Sequence, residues 1–130
     1  MKKVGISVLA ALFLFLMTGM LLAQNADLSG TWVGDTLIPN STDKDFLTVV
    51  LKKDGVSYSG TITDSMGMAN GAALEKIKFE NGTLSFQFAI FDGQQNLRVS
   101  ATFKVSGDKM TGSWETESGD TGSVTLERKK

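Results

Sequence analysis

The chain has 130 residues, with 13 basic and 14 acidic side chains and a net charge of −1, and it contains neither histidine nor cysteine. This composition excludes disulfides, Ser-His-Asp and Cys-His nucleophilic catalysis, and metal sites built on imidazole or thiolate. Carboxylates are present, but the chain lacks the calcium-loop pattern. We therefore expect a protein that is not an enzyme and that holds no metal and no cofactor.

Residues 1–23 have the pattern of a secretory signal peptide. Two lysines follow Met1, and an uncharged apolar run then extends over residues 4–23, with small residues near its end. Cleavage after Ala23 and cleavage after Ala26 both fit this pattern, and an uncleaved N-terminal anchor is the alternative. The leader predicts a bacterial protein that is secreted or periplasmic.

The part of the chain that follows the leader is mildly acidic. Removal of the two leader lysines leaves 11 basic and 14 acidic residues, a net charge of −3. Such a surface gives no electrostatic reason to bind nucleic acid, or a membrane beyond the signal segment. The partners left to consider are a small molecule and another protein.

Strand signals recur through the rest of the chain. Apolar and polar residues alternate, for example over residues 84–90 and 97–105, and Asp-Gly or Asn-Gly pairs, which favour tight hairpins, separate the runs. The pattern predicts eight strands, near residues 30–38, 45–53, 56–63, 73–79, 83–91, 95–105, 108–116 and 121–128. Short connections favour an eight-stranded antiparallel up-and-down β-barrel over residues 27–130, and a two-sheet sandwich is the alternative.

The alternation also predicts which side chains point into the barrel. In the third strand, Val56, Tyr58 and Ile62 should share one face, with Tyr58 and Ile62 inside the barrel. In the second strand, Leu47, Val49 and Leu51 are preferred over Phe46 and Val50. The other expected inward residues are Trp32, Ile77, Phe79, Leu84, Phe86, Phe88, Ile90, Leu97, Val99, Phe103, Met110, Trp114, Val124 and Leu126.

The first and last strands of a closed barrel are neighbours, so Arg128 should lie over the ring of Trp32 and close one end. This pairing resembles the calycin superfamily, the lipocalins and avidins. Their first strand carries Gly-x-Trp, matched here by Gly30-Thr31-Trp32, and a basic residue of the last strand packs across the tryptophan. The resemblance implies a small secreted β-barrel in which Gly30, Trp32 and Arg128 have a structural role in closure. Biotin is not the expected ligand, because Gly34 and Ile62 replace the polar and aromatic residues of avidin-like sites.

An eight-stranded barrel is wide enough either to be filled by side chains or to hold one small ligand. For the second case, the methionines of a glycine-rich loop, Met66 and Met68, would form a lid. The candidate ligand-binding residues are Tyr58, Ile62, Phe86, Phe88, Val99, Phe103, Met110 and Trp114.

Few polar groups are expected in such a pocket, with Tyr58, Thr36 and Thr116 as the candidates, and no arginine points inward at mid-barrel. A neutral or weakly polar hydrophobic ligand is therefore expected, carried by a lipocalin-like protein. The alternative is a solid-core barrel that acts through its outside as a protein–protein or envelope interaction module. That alternative predicts an exposed apolar patch formed by Val33, Leu37, Phe46 and Phe91.

Overall fold

The computed structural model describes residues 26–130, and the predicted signal peptide lies outside this range. The described part of the chain contains nine β-strands and no helix, so it offers no helix that could cross a membrane. The strands are β1 (Gly30–Leu37), β2 (Lys44–Asp54), β3 (Ser57–Asp64), β4 (Ala72–Ala73), β5 (Glu75–Glu80), β6 (Thr83–Phe91), β7 (Asn96–Ser106), β8 (Lys109–Thr116) and β9 (Thr121–Arg128).

The strands form one antiparallel sheet in the order β4-β3-β2-β1-β9-β8-β7-β6-β5. Each strand is bonded to its neighbours in the chain except at β4 and β5, which form the two edges of the sheet. β1 is also bonded to β9, with Trp32 opposite Arg128. β3 and β5 approach each other without a ladder of hydrogen bonds between them. The prediction of an all-β, up-and-down antiparallel barrel is confirmed, and the barrel is nearly closed.

The predicted count of eight strands is wrong, because the fourth strand is broken at Leu74. The N–H group of Leu74 donates to the carbonyl oxygen of Gly60 at 2.9 Å, and its side chain is buried. Beyond it, Lys76 has φ of 51° and the register with β6 shifts between Glu75 and Lys78. The break sends the chain from an edge paired with β3 to an edge paired with β6, which leaves the barrel open along this side.

Two-residue turns join β2 to β3, β5 to β6 and β7 to β8. Between β5 and β6, Asn81 and Gly82 have φ of 53° and 75°, the left-handed values that a two-residue hairpin of this kind requires. Gly112 has a different role, since a Cβ atom there would collide with the carbonyl oxygen of Thr102 on β7. The close approach of β7 and β8 therefore depends on a residue without a side chain.

The inner face follows the predicted alternation in most places. Trp32, Val49, Phe86 and Met110 are among its fully buried side chains, whereas Phe46 is exposed, as expected. The prediction that Val56 begins the third strand, on the face of Tyr58 and Ile62, is wrong, because Val56 lies in the β2–β3 turn and is 98% exposed. The buried residues that lie outside the predicted strands or inner face include Leu28, which precedes β1, Leu74 at the strand break and Ala69 in the β3–β4 loop.

Candidate functional site

One end of the barrel is closed by Trp32 and the segment that precedes β1. The ring of Trp32 is fully buried, and its indole N–H donates to the carbonyl oxygen of Leu28 at 3.0 Å. The guanidinium carbon of Arg128 lies 4.4 Å from the centre of the ring. The same guanidinium donates to the carbonyl oxygens of Ser29 and Asp27, so it holds the segment over the barrel end.

Gly30 and Tyr58 lie at this closed end as well. Gly30 has φ of 132°, and a Cβ atom there would come within 3.3 Å of Arg128 Nη1. The hydroxyl of Tyr58 accepts from the N–H of Leu28 at 3.1 Å and donates to the carbonyl oxygen of Ala26 at 3.3 Å. Tyr58 therefore anchors the segment before β1 instead of facing a pocket.

The middle of the barrel is filled by aromatic and aliphatic side chains. Phe86 stacks on Phe103, with ring centres 5.7 Å apart and an interplanar angle of 29°, and its ring centre is 6.0 Å from that of Phe88. Phe86, Phe103 and Met110 are buried and line no part of the cavity described below. They form the floor that separates the closed end from the open end.

A cavity of about 300 Å³ lies at the opposite end. Its walls come from the carboxyl ends of β1, β3, β6 and β8, from the amino ends of β2 and β7, and from the connecting loops. The lining residues are Thr36, Ile38, Pro39, Asn40, Asp45, Leu47, Ile62, Asp64, Met68, Ala69, Phe88, Ile90, Asp92, Leu97, Val99, Trp114, Thr116 and Asp120.

The structure divides the predicted ligand-binding residues between this cavity and the filled core. Ile62, Phe88, Val99 and Trp114 line the cavity. Tyr58, Phe86, Phe103 and Met110 lie elsewhere, as described above. Parity along a strand reports which face a side chain takes, but it carries no information on how far along the barrel axis the side chain lies, and the axial position decides this division.

The predicted lid loop lies at the cavity end of the barrel and is tied to β2 on one side and to β6 on the other. Met68 lines the cavity, whereas Met66 is 47% exposed. The carbonyl oxygen of Met68 accepts from the N–H of Phe91 on β6 at 2.9 Å, and the N–H of Ser65 donates to the carbonyl oxygen of Phe46 on β2 at 2.9 Å. Backbone hydrogen bonds thus hold the loop in place at this end.

Trp114 is held in a fixed orientation in the cavity wall. Its indole N–H donates to Thr36 Oγ1 at 2.8 Å, and that hydroxyl donates to the carbonyl oxygen of Ser123 at 2.7 Å. Across the ladder, a Cβ atom at Gly122 would lie 2.6 Å from the indole ring. The glycine lets the ring lie flat on β9, and Thr36 has no hydrogen left to donate to a ligand.

The polar character of the cavity differs from the sequence-based expectation. Thr36 and Thr116 line it as expected, but so do four aspartates, Asp45, Asp64, Asp92 and Asp120. Asp45 and Asp64 are only 3% and 9% exposed. Both could have been found by extending the parity of their strands, because Asp45 is two residues before Leu47, and Asp64 is two residues after Ile62.

The strand register brings these two buried carboxyl groups together. Leu47 on β2 pairs with Asp64 on β3, so Asp45 is the diagonal inner-face neighbour of Asp64. Asp45 Oδ1 accepts from the hydroxyl of Ser65 at 3.1 Å and from the N–H of Met66 at 3.2 Å. Burial, together with the proximity of the carboxyl group of Asp64, raises the pKa of Asp45 to about 6.

This raised pKa predicts a pH-dependent stability. The folded protein holds a proton on Asp45 more tightly than the unfolded chain does. The stabilisation that this proton gives is therefore fully present below about pH 4 and is lost as pH rises through about 6. We expect Asp45→Asn to remove about 1–2 kcal/mol of the fall in unfolding free energy over this range, a value that allows for the opening of the cavity to water. Urea denaturation at a series of pH values measures it, and an unchanged pH profile in the variant would contradict the assignment.

Exposed apolar side chains surround the mouth of the cavity. Leu37 ends β1, Phe46 lies near the start of β2, Met66 belongs to the lid loop and Phe91 ends β6, and all four are about half exposed or more. Three of the four residues of the predicted apolar patch are thus exposed at this end, whereas Val33 is half-buried. We call Leu37, Phe46, Met66 and Phe91 the apolar rim.

Within residues 26–130, no group of three or more acidic, histidine or cysteine side chains is placed to hold a metal ion.

The chain has no detectable similarity to known proteins. Searches against protein-family models, curated proteins and solved structures give no significant match. Residues 26–130 form a nearly closed antiparallel β-barrel with one closed end and one hollow end.

Proposed function

We propose that this protein is an exported, non-enzymatic, lipocalin-like binding protein that holds a small hydrophobic molecule in the open end of its barrel. The observation that carries the proposal is the cavity of about 300 Å³, which lies at the lower end of the size range of small-molecule sites. Its floor and walls are apolar, with Ile62, Phe88 and Val99 among them, and its polar groups lie towards the mouth. A molecule with an apolar body fits this distribution.

The closed end supports the calycin-like interpretation. Gly30-Thr31-Trp32 opens the first strand, and Arg128 of the last strand lies across the tryptophan ring, which is the arrangement that the resemblance implies. In such a barrel the closed end stabilises the fold and the opposite end is free to bind. The proposed export rests on the leader over residues 1–23, and intact mass of the mature protein would show whether it begins at Gln24 or at Asp27.

The first experiment is native mass spectrometry of the mature protein, purified gently from its own host. A persistent additional mass of a few hundred daltons, of the order that a cavity of this size holds, would support a carrier and identify its cargo. A bare protein that stays bare after exposure to host lipid extract would overturn the proposal.

A blocked cavity gives a second test, with the neutral fluorescent probe N-phenyl-1-naphthylamine as ligand. Ile90 is half-buried in the cavity wall, so the larger side chain of Ile90→Trp should occupy the space and weaken probe binding by about tenfold or more. Val105→Trp is the matched control, since Val105 is half-buried on the core but lines no part of the cavity. Equal binding by both variants would show that the probe binds elsewhere.

The apolar rim favours a second candidate function, an interaction module that docks a protein or envelope component. Leu37, Phe46 and Phe91 expose large apolar surfaces on one end of the molecule. A double variant, Phe46→Ser with Phe91→Ser, distinguishes the two functions. It should leave cavity binding of the neutral probe intact and abolish any partner capture that depends on the rim.

A further inference from the structure

The inference that follows concerns the two buried aspartates of the cavity, and it rests on the proposed function. The described hydrogen bonds of both side chains use Oδ1: Asp45 Oδ1 accepts from Ser65 and Met66, and Asp64 Oδ1 accepts from the N–H of Ala69 at 2.7 Å. Asp64 Oδ2 is buried and has no hydrogen-bond partner within the described part of the chain. A buried carboxylate oxygen without a partner is costly, and its position in a cavity wall points to a donor supplied by a ligand.

The rest of the cavity supplies acceptors and no cation. No lysine or arginine is among the described residues that line it, and Asp92 and Asp120, which also line it, add negative charge. Asp92 is already satisfied, because its Oδ1 accepts from the N–H groups of Gln94 and Gln95 at 2.9 and 2.8 Å. Asp64 Oδ2 is therefore the buried carboxylate oxygen of the described cavity wall that lacks a donor, and Asp45 lies beside it.

An anchoring role for the lid loop does not account for the whole arrangement. Loop anchoring uses the bonds to Ser65, Met66 and Ala69, and the Oδ1 atoms are sufficient for all three. Placing a second carboxyl group beside the first on the inner face adds repulsion that the loop does not need. Below about pH 6, a proton on Asp45 that is shared with Asp64 relieves this repulsion. Once Asp45 is ionised, a cation between the two groups relieves it and gives Asp64 Oδ2 a donor.

We propose that the ligand of this cavity is an amphipathic organic amine, whose ammonium group lies between Asp45 and Asp64 and whose apolar body lies against Ile62, Phe88 and Val99. An ammonium group donates up to three hydrogen bonds and carries the charge that the carboxylates require. A fatty acid whose apolar chain is as long as that of the amine would place its carboxylate against two carboxylates, so its binding is disfavoured. The site thus selects among hydrophobic molecules by the charge of their polar head.

The test uses displacement of N-phenyl-1-naphthylamine from the mature protein by three ligands with the same chain: decylamine, 1-decanol and decanoate. At about pH 7.5 we expect decylamine to bind at least about tenfold more tightly than decanol, and decanoate to bind most weakly. The affinity for decylamine should rise between about pH 5 and about pH 7.5, since Asp45 becomes ionised over this range and can then attract the cation, while the affinity for decanol stays constant. The charged groups that face the pair from the other sides of the cavity, Asp92 and Asp120, are acidic and act in the same direction.

Asp64→Asn is the decisive variant, because an asparagine Oδ1 still accepts the bond from Ala69 and keeps the loop in place. It should reduce the preference for decylamine over decanol to about threefold or less. Because this preference is a ratio of two affinities, a general change in the cavity cancels from it, and circular dichroism shows whether the variant is folded. Asp54→Asn, an exposed residue at the closed end, removes the same charge and should keep the full preference.

The outcomes separate this inference from the proposed function. If decylamine, decanol and decanoate all displace the probe equally, or if Asp64→Asn keeps the full preference, the inference is overturned and the hydrophobic carrier stands. If neither the probe nor any of the three ligands binds the wild-type protein, the proposed function fails together with the inference. Selective binding of decylamine that is lost in Asp64→Asn and kept in Asp54→Asn supports both.

Discussion

Replacement of Trp32 by alanine is expected to destabilise the protein by about 3–5 kcal/mol. The indole ring is fully buried, so its removal leaves a cavity at the closed end of the barrel. The substitution also removes the donor to the Leu28 carbonyl oxygen and leaves the guanidinium of Arg128 without the ring on which it lies. The free energy of unfolding, from urea denaturation at neutral pH, measures the effect.

Val33→Ala is the matched control for Trp32→Ala. Val33 is the next residue on the same strand, points to the other face and is half-buried. Its truncation should cost about 1 kcal/mol or less. A loss below about 1 kcal/mol for Trp32→Ala itself would mean that the ring is not the plug of the barrel, whatever the control shows.

Phe86→Ala should have an effect of the same size, about 3–5 kcal/mol, for a different reason. Phe86 is 2% exposed and lies between Phe103 and Phe88 in the floor beneath the cavity. Its loss removes aromatic contacts on both sides and opens a void that the barrel backbone, held by ladders on each strand, cannot close. Chemical denaturation compares the variant with the wild type.

A control for Phe86→Ala lies on the same strand. Phe91 is 50% exposed at the apolar rim, and Phe91→Ala should change the free energy of unfolding by about 0.5 kcal/mol or less. If the two variants lost similar stability, the distinction between core and rim along β6 would be wrong. Because Phe91 does not line the cavity, Phe91→Ala should also retain the affinity for the probe.

These stability predictions and the binding predictions concern opposite ends of one barrel. Trp32, Arg128 and the segment before β1 stabilise one end, while the buried aspartates and the lid loop lie at the other. The aromatic floor separates them, so a substitution at the closed end should affect stability without a change in ligand preference. At the cavity end, two buried carboxyl groups lie side by side and their repulsion lowers the stability of the fold. A bound cationic ligand would offset this repulsion.

Sequence reasoning succeeds best where one local rule decides the structure. Alternation identifies the inner faces of β6 and β7, and the Asn81-Gly82 pair identifies a hairpin because few other residues adopt positive φ. It misses Asp45 and Asp64 because polar residues are expected to face outward, although their parity places them inside. It misplaces Val56, since a residue next to a turn glycine belongs to the turn rather than to the strand that follows.

The sequence by itself determines that this is an all-antiparallel barrel whose first and last strands meet at Trp32 and Arg128, because period-two alternation and tight turns are local properties of the chain. Only the tertiary structure decides the break at Leu74, the division of the interior into a filled and a hollow part, and the pairing of Asp45 with Asp64. Each of these depends on strand register and on position along the barrel axis. Register is set by the hydrophobic patterns of two paired strands together and by the turn that joins them, so the sequence of a single strand does not contain it.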